Sequence, residues 1–194
     1  MASFEIADRI TRANEGGWQN DPNDRGNAAS GLGTYRGVAS RIHPGWKGWS
    51  IISDVILDLS PQPRFGTALY RAWVKKLNSV LHANEALQEL VRSFYKTNFW
   101  DALRLDEIKS QAVANKVYDA GVNQGTGTAA VLLQRVLGAA ADGQIGPITL
   151  ALANKQNGDQ LAEKFKQARI AKYQRIVEKN PTQAKYLDIW VARC

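Results

Sequence analysis

Cysteine is nearly absent from this chain. The single one, Cys194, is the last of 194 residues and has no partner for an internal disulfide. A thiolate nucleophile wants a fixed, electropositive setting that a chain terminus rarely offers, so Cys194 reads as incidental. Histidine is scarce too, and His43 and His82 stand far apart. No His/Cys/Asp cluster has metal-ligand spacing, so neither a metal nor another cofactor is expected. Long apolar runs are missing: Val55 to Leu57 and Ala129 to Leu133 are too short for the roughly 20 residues a bilayer span needs. Stable membrane insertion is therefore not expected. The opening Met-Ala-Ser-Phe-Glu-Ile has no basic segment followed by an apolar one, so synthesis in the cytoplasm without a signal peptide is expected. Gly31-Leu32-Gly33 is not continued to a third glycine and follows no strand pattern, which argues against a phosphate cradle. There are no tandem repeats and no low-complexity tracts.

What is present is ordinary globular composition, 44% hydrophobic and 22% charged, with a net charge of +7. That balance favours a polyanionic partner. The cations are scattered, and the modest run from Lys164 to Lys179 reads as a solvated helix face. No basic patch is interleaved with aromatic side chains, so nucleic acid is not the expected partner.

The periodicity is helical almost throughout. Ser3 suits an N-cap for a first helix with Phe4, Ile6, Ala7, Ile10 and Ala13 on one side. Residues 16 to 33 read as a loop or short strands. Thr34 is expected to cap a short helix through Val38 and Ile42 that ends at His43-Pro44-Gly45. Further helices are expected over Ile51–Leu59, Phe65–Leu81, from Asn84 through Phe94, from Ser110 to a stop at Gly121, over Ala129–Leu137, from Pro147, over Leu161–Val177 and over Thr182–Val191. The fold class expected is mainly α, with a small irregular or β element after the first helix.

The stretch from Asn14 to Gly37 concentrates the polar chemistry. Two glycines after Glu15 can stop the first helix there and leave its carboxyl at a helix end. Glu15 as a plain surface carboxylate is the bland alternative. Asp24 lies across a glycine-bearing loop able to fold back. Two carboxyls in different surroundings can divide acid and base work, with Trp18 and Tyr35 as apolar bodies beside Glu15. Asp21, before Pro22, reads as a turn residue. Trp18, Trp46 and Trp49 are core anchors or stacking platforms for sugar rings. Asp119 and Asn123, one turn apart, either cap a helix or offer hydrogen bonds to an N-acetyl sugar.

Glu15-Gly16-Gly17-Trp18, Asn20-Asp21-Pro22, Asp24-Arg25-Gly26 and Thr34-Tyr35-Arg36-Gly37-Val38 together resemble the signature of glycoside hydrolase family 108, the N-acetylmuramidase endolysins. The second half resembles the peptidoglycan-binding region that accompanies it: Asn98-Phe99-Trp100-Asp101, Asp119 to Gly125, Leu133-Gln134 and Asp142 to Thr149. Asn27 stands where the family has a second glycine, and Asn27 to Gly33 reads as an inserted loop on which Ser30 offers a hydroxyl.

The resemblance implies a lysozyme-like, mainly α fold with a catalytic region over 1–100 and a peptidoglycan-binding helical region over 101–194, packed as one compact unit. It implies cleavage of the β-1,4 bond after N-acetylmuramic acid, by a phage-type lysin that reaches the wall after release from the cytoplasm. Glu15 becomes the general acid. Asp24 stabilises the oxocarbenium-like centre or activates water, and Thr34 positions that water or the carboxylate. Trp18, Tyr35, Asp119 and Asn123 are the expected substrate-binding residues. The expected partner is the peptidoglycan glycan strand, bound by a monomer. A lytic transglycosylase, a non-catalytic wall-binding protein and a basic nucleic-acid binder are the rival readings.

Overall fold

The computed structural model describes residues 1–12, 16–24, 27 and 32–194. Among them the order is α1 (Phe4–Arg12), β1 (Trp18–Gln19), β2 (Thr34–Tyr35), β3 (Val38–Ala39), α2 (Gly48–Asp58), α3 (Ala68–Ala83), α4 (Glu85–Tyr95), α5 (Gln111–Gln124), α6 (Thr126–Leu137), α7 (Pro147–Lys155), α8 (Gly158–Lys179) and α9 (Leu187–Ala192). A π-helical turn, Lys96–Asp101, and 3-10 turns at Leu105–Glu107 and Pro181–Tyr186 complete it. The mainly α expectation is met. No helix among the described residues is long and apolar enough to cross a membrane.

Compactness divides the chain into a sheet-bearing unit, residues 12–94, and a helical unit made of residues 1–11 with 95–194. This division differs from a single cut at residue 100, because the opening helix folds with the C-terminal half. There Phe4 meets Trp100 and Tyr118 edge to face at ring separations of 5.7 and 5.8 Å, and the Tyr118 hydroxyl donates to Asp8 at 2.9 Å. The buried stripe of α1 is Phe4, Ala7, Asp8 and Thr11. Ile6 and Ile10, expected inside, are exposed because that stripe advances by three and four residues and passes them by.

In the sheet-bearing unit the three strands run antiparallel in the order β1-β2-β3, pairing Trp18 with Tyr35, Gln19 with Thr34, and Tyr35 with Val38. The helix expected from Thr34 to Ile42 is therefore a hairpin instead. Arg36 and Gly37 both have positive φ, 46° and 79°, which is the backbone of a two-residue hairpin turn whose twist matches its strands. Behind the sheet, α3 starts where Thr67 Oγ1 accepts from the Tyr70 N–H, and it buries Tyr70, Trp73, Leu77 and Leu81. Asn84 Oδ1 accepts from Leu87 and caps α4, as its position suggests.

In the helical unit, Ser110 caps α5 and Asn157 caps α8 by accepting from Val113 and Gln160. Gly121 does not end α5. It lies inside the helix because any Cβ there would meet Leu103 Cδ1 at 2.7 Å, and the stop comes at Gly125, with φ of 88°. Gln134 is 1% exposed and pins the loop over residues 142–146. Its amide nitrogen donates to Asp142 and to the Gln144 carbonyl, and its oxygen accepts from the Gly143 N–H. The Asp-Gly-Gln-Ile-Gly-Pro motif is thereby a fastened turn that delivers Pro147 to the first position of α7.

Candidate active site

Pairing β1 with β2 sets Gln19 opposite Thr34, and a chain of side-chain hydrogen bonds grows across that pair. The Thr34 hydroxyl donates to Asn27 Oδ1 at 2.7 Å. Asn27 Nδ2 donates to Gln19 Oε1 at 2.8 Å, and Gln19 Nε2 donates to the Asp24 carboxylate at 2.6 Å. Every link runs the same way, from hydroxyl to carboxylate. Asn27 is 3% exposed, so its amide is committed to this chain and to the Asp21 carbonyl. One chemical consequence follows for Thr34. Its proton is spent on Asn27, so its oxygen is left to accept from a water or a sugar hydroxyl.

The loop before the chain is built from turns. Asp21 Oδ1 accepts from the Asn23 N–H at 2.8 Å, the local aspartate turn expected of it; burial, and after it the Asp21 charge, raises the phenol of Tyr70. Asp24 N–H donates to the Asp21 carbonyl and Asn27 N–H to the Asp24 carbonyl, both at 3.0 Å. Asp24 is left half-buried with its carboxylate oriented by Gln19.

On the other side of β1, Asn78 of α3 takes the place of a neighbouring strand. It accepts from the Trp18 N–H at 2.5 Å and donates to the Trp18 carbonyl at 3.1 Å. That grip explains a glycine of the Glu-Gly-Gly-Trp motif, since any Cβ on Gly17 would collide with the Asn78 amide. Beside it opens a groove of about 350 Å³ lined by Gly16, Gly17, Tyr35, Arg36, Asn78 and the outer face of α3 at Lys75, Ser79 and His82. Gln88 fixes one wall: it donates to the Tyr35 hydroxyl and accepts from Arg36, each at 3.0 Å.

Of the residues expected at the site, Asp24, Thr34 and Tyr35 are thus in or beside this strand–loop assembly. Glu15 and Ser30 lie outside the described residues. Trp18 is 2% exposed, edge to face with Trp73 at 5.6 Å, with its indole N–H donating to the Leu32 carbonyl. It is a core anchor, with no open face for stacking on a sugar. Trp49 is likewise buried, against half-buried Trp46.

Asp119 belongs to the helical unit, where Arg169 Nη1 reaches it at 2.6 Å and Arg193 Nε at 3.1 Å. Asp119 lies inside α5 with its carboxylate held by two arginines, an ion-pairing role that neither reading, helix cap or sugar contact, describes. Asn123 is exposed on the same helix. Sequence reasoning did not single out Gln19 or Asn78, or see what Asn27 holds. Their roles depend on strand pairing, although an amide residue flanking Asp24 is a signal that a polar network is being assembled. The Cys194 thiol is buried, and burial raises it, away from the thiolate form a nucleophile needs. Among the described residues no group of three or more His, Cys, Asp or Glu is placed to hold a metal ion.

Residues 9–125 match the family model described as Glycosyl hydrolase 108, and residues 128–194 match one described as Predicted Peptidoglycan domain. No curated protein matches. The solved structure of Brucella abortus SagA is similar with a TM-score of 0.60 at 21% identity, covering 98% of this chain and 88% of that one. That likeness is one of fold, and the fold is lysozyme-like and mainly α. The first family model spans more than half of the chain and takes in the Asp24–Gln19–Asn27–Thr34 network; the chain belongs to the glycosyl hydrolase 108 family and is a glycosidase of peptidoglycan.

Proposed function

We propose that the protein is an N-acetylmuramidase that hydrolyses the β-1,4 bond between N-acetylmuramic acid and N-acetylglucosamine. Glu15 donates its proton to the glycosidic oxygen. Asp24 supports the oxocarbenium-like centre or activates the attacking water, and Thr34 accepts a hydrogen bond from that water. The observation that carries this reading is the hydrogen-bond chain across β1 and β2 that ends on Asp24. Its direction fits, because a water-positioning hydroxyl must be an acceptor and Thr34 is held as one. The groove at Gly16 and Gly17, directly after Glu15, supports a substrate path beside the acid, and neither Asp24 nor Thr34 lines it. Arg36 on the groove wall is the proposed sugar contact; Tyr35, expected beside it, is 1% exposed with its hydroxyl held by Gln88, and supports the wall from within.

The experiment is a turbidity assay on purified sacculi with wild type beside Glu15→Gln, with mass spectrometry of the products. Loss of clearing with retained wall binding is the expected result for Glu15→Gln. Reducing-end sugars from the wild type support hydrolysis. Anhydro ends overturn it in favour of transglycosylation, and unchanged clearing by Glu15→Gln removes the acid from its role. The reading extends to a phage-type lysin acting as a monomer on the wall after release from the cytoplasm. Sedimentation, together with lysis from outside and from inside the cell, tests that part.

A further inference from the structure

The helical unit carries a second cavity that the chemistry above does not use. It measures about 250 Å³ and lies between α6 and α8. Leu132 and Val136 of α6 and Ala168 of α8 form an apolar floor, and Arg135, Lys172 and Arg175 stand around it. The spacing explains the convergence: 132, 135 and 136 share one face of α6, and 168, 172 and 175 share one face of α8. No carboxylate lines the cavity, and among the described residues none of the three cations forms an ion pair. Lys172 is held by Gln124, a neutral acceptor, at 2.6 Å.

We propose that this cavity binds the peptide stem of peptidoglycan, taking an alanyl methyl on the apolar floor and the neighbouring carboxylates on Arg135, Lys172 and Arg175. The inference rests on peptidoglycan being the substrate and adds which part of it the helical unit reads. Three cations without a counter-charge ask for an anionic ligand. The small floor asks for a short aliphatic group beside that charge, which an alanine-containing acidic peptide has and a sugar ring lacks. At 250 Å³ the cavity falls below the roughly 300–1,000 Å³ of typical small-molecule sites, so it suits one or two residues of peptide. All six lining residues fall within the segment matched as a peptidoglycan domain, 128–194. Burial and the nearby Arg169 charge both lower the Lys172 amine, a cost that a bound carboxylate relieves.

The test is NMR titration of the whole protein with a soluble stem peptide, the same peptide with its carboxylates amidated, chitotetraose, and a short DNA duplex. The stem peptide is expected to shift the methyl signals of Leu132, Val136 and Ala168. Amidation, or the double substitution of Arg135→Gln with Arg175→Gln, is expected to weaken binding by about tenfold or more, as loss of charge-assisted hydrogen bonds should. Both arginines are at the cavity rim, and the urea midpoint of the double variant checks that it folds. Equal binding of the amidated peptide, shifts confined to other residues, or tighter binding of DNA at these methyls overturns the proposal. Release of reducing ends without stem binding refutes this inference alone, whereas stem binding without any bond cleavage refutes the glycosidase mechanism alone.

Discussion

Arg169 and Asp119 form a buried ion pair, with Nη1 and Oδ2 2.6 Å apart and side chains 1% and 12% exposed. Arg193 adds a second bond to the same carboxylate, and the Tyr173 hydroxyl lies 3.4 Å from Arg169 Nη2. Burial by itself would lower the Arg169 guanidinium. The charge and hydrogen bond of Asp119, with a smaller contribution from Tyr173, outweigh it and raise the group instead.

Removing the carboxylate leaves a buried cation without compensation. Asp119→Ala is therefore expected to cost about 3–5 kcal/mol of stability, read from urea unfolding. Asn123→Ala, on an exposed position one turn away, is expected to stay within about 0.5 kcal/mol. An unchanged urea midpoint for Asp119→Ala, combined with weaker wall binding, assigns Asp119 to the substrate instead.

Thr34→Val keeps the shape of the side chain and removes the donor to the buried Asn27 oxygen. The unsatisfied acceptor costs about 1–3 kcal/mol. Release of reducing ends is expected to fall further than the folded fraction does, and Thr34→Ser to restore both. A variant whose activity simply follows its folded fraction confines Thr34 to a structural part.

Gly33 has φ of 73°, and a Cβ there would run into the Gln19 carbonyl. Gly33→Ala combines backbone strain of about 1–3 kcal/mol with that collision. It is expected to lower the melting temperature and to disturb the Gln19 contact with Asp24. Gly16 borders the groove with open space around it, so Gly16→Ala is expected to leave the melting temperature almost unmoved. Equal melting temperatures for the two variants contradict the geometry at Gly33.

The helices were legible because their signals are local. Asn84, Ser110 and Pro147 announce helix starts by side-chain chemistry that needs no distant partner. The hairpin at Thr34–Ala39 was not, because Val38 and Ile42 also fit a helical period. The positive φ of Arg36 and Gly37 decides between the two periods only once β1 is there to pair with β2. Gly121 misled for a related reason: a glycine that makes room for Leu103 looks the same in sequence as one that ends a helix. Glu15, Asp24 and Thr34 stood out by residue type and order. Gln19 and Asn78 did not, since each matters through a residue brought near it by folding.

Gln134 and Asp142 carry a pH signature. The Gln144 N–H and then the Gln134 amide donate to the Asp142 carboxylate, and these bonds lower it from its ordinary value of 3.8. A carboxyl depressed in the folded state binds its proton more weakly than in the unfolded chain. Its contribution is full above about 3.8 and is lost as pH falls through the lower folded value. Asp142→Asn keeps an acceptor oxygen and removes the titration. The urea midpoint of the wild type is therefore expected to exceed that of Asp142→Asn at neutral pH, with the gap closing as the solution is acidified below that range. A gap that persists unchanged into strong acid traces to the shape of the turn rather than to the charge.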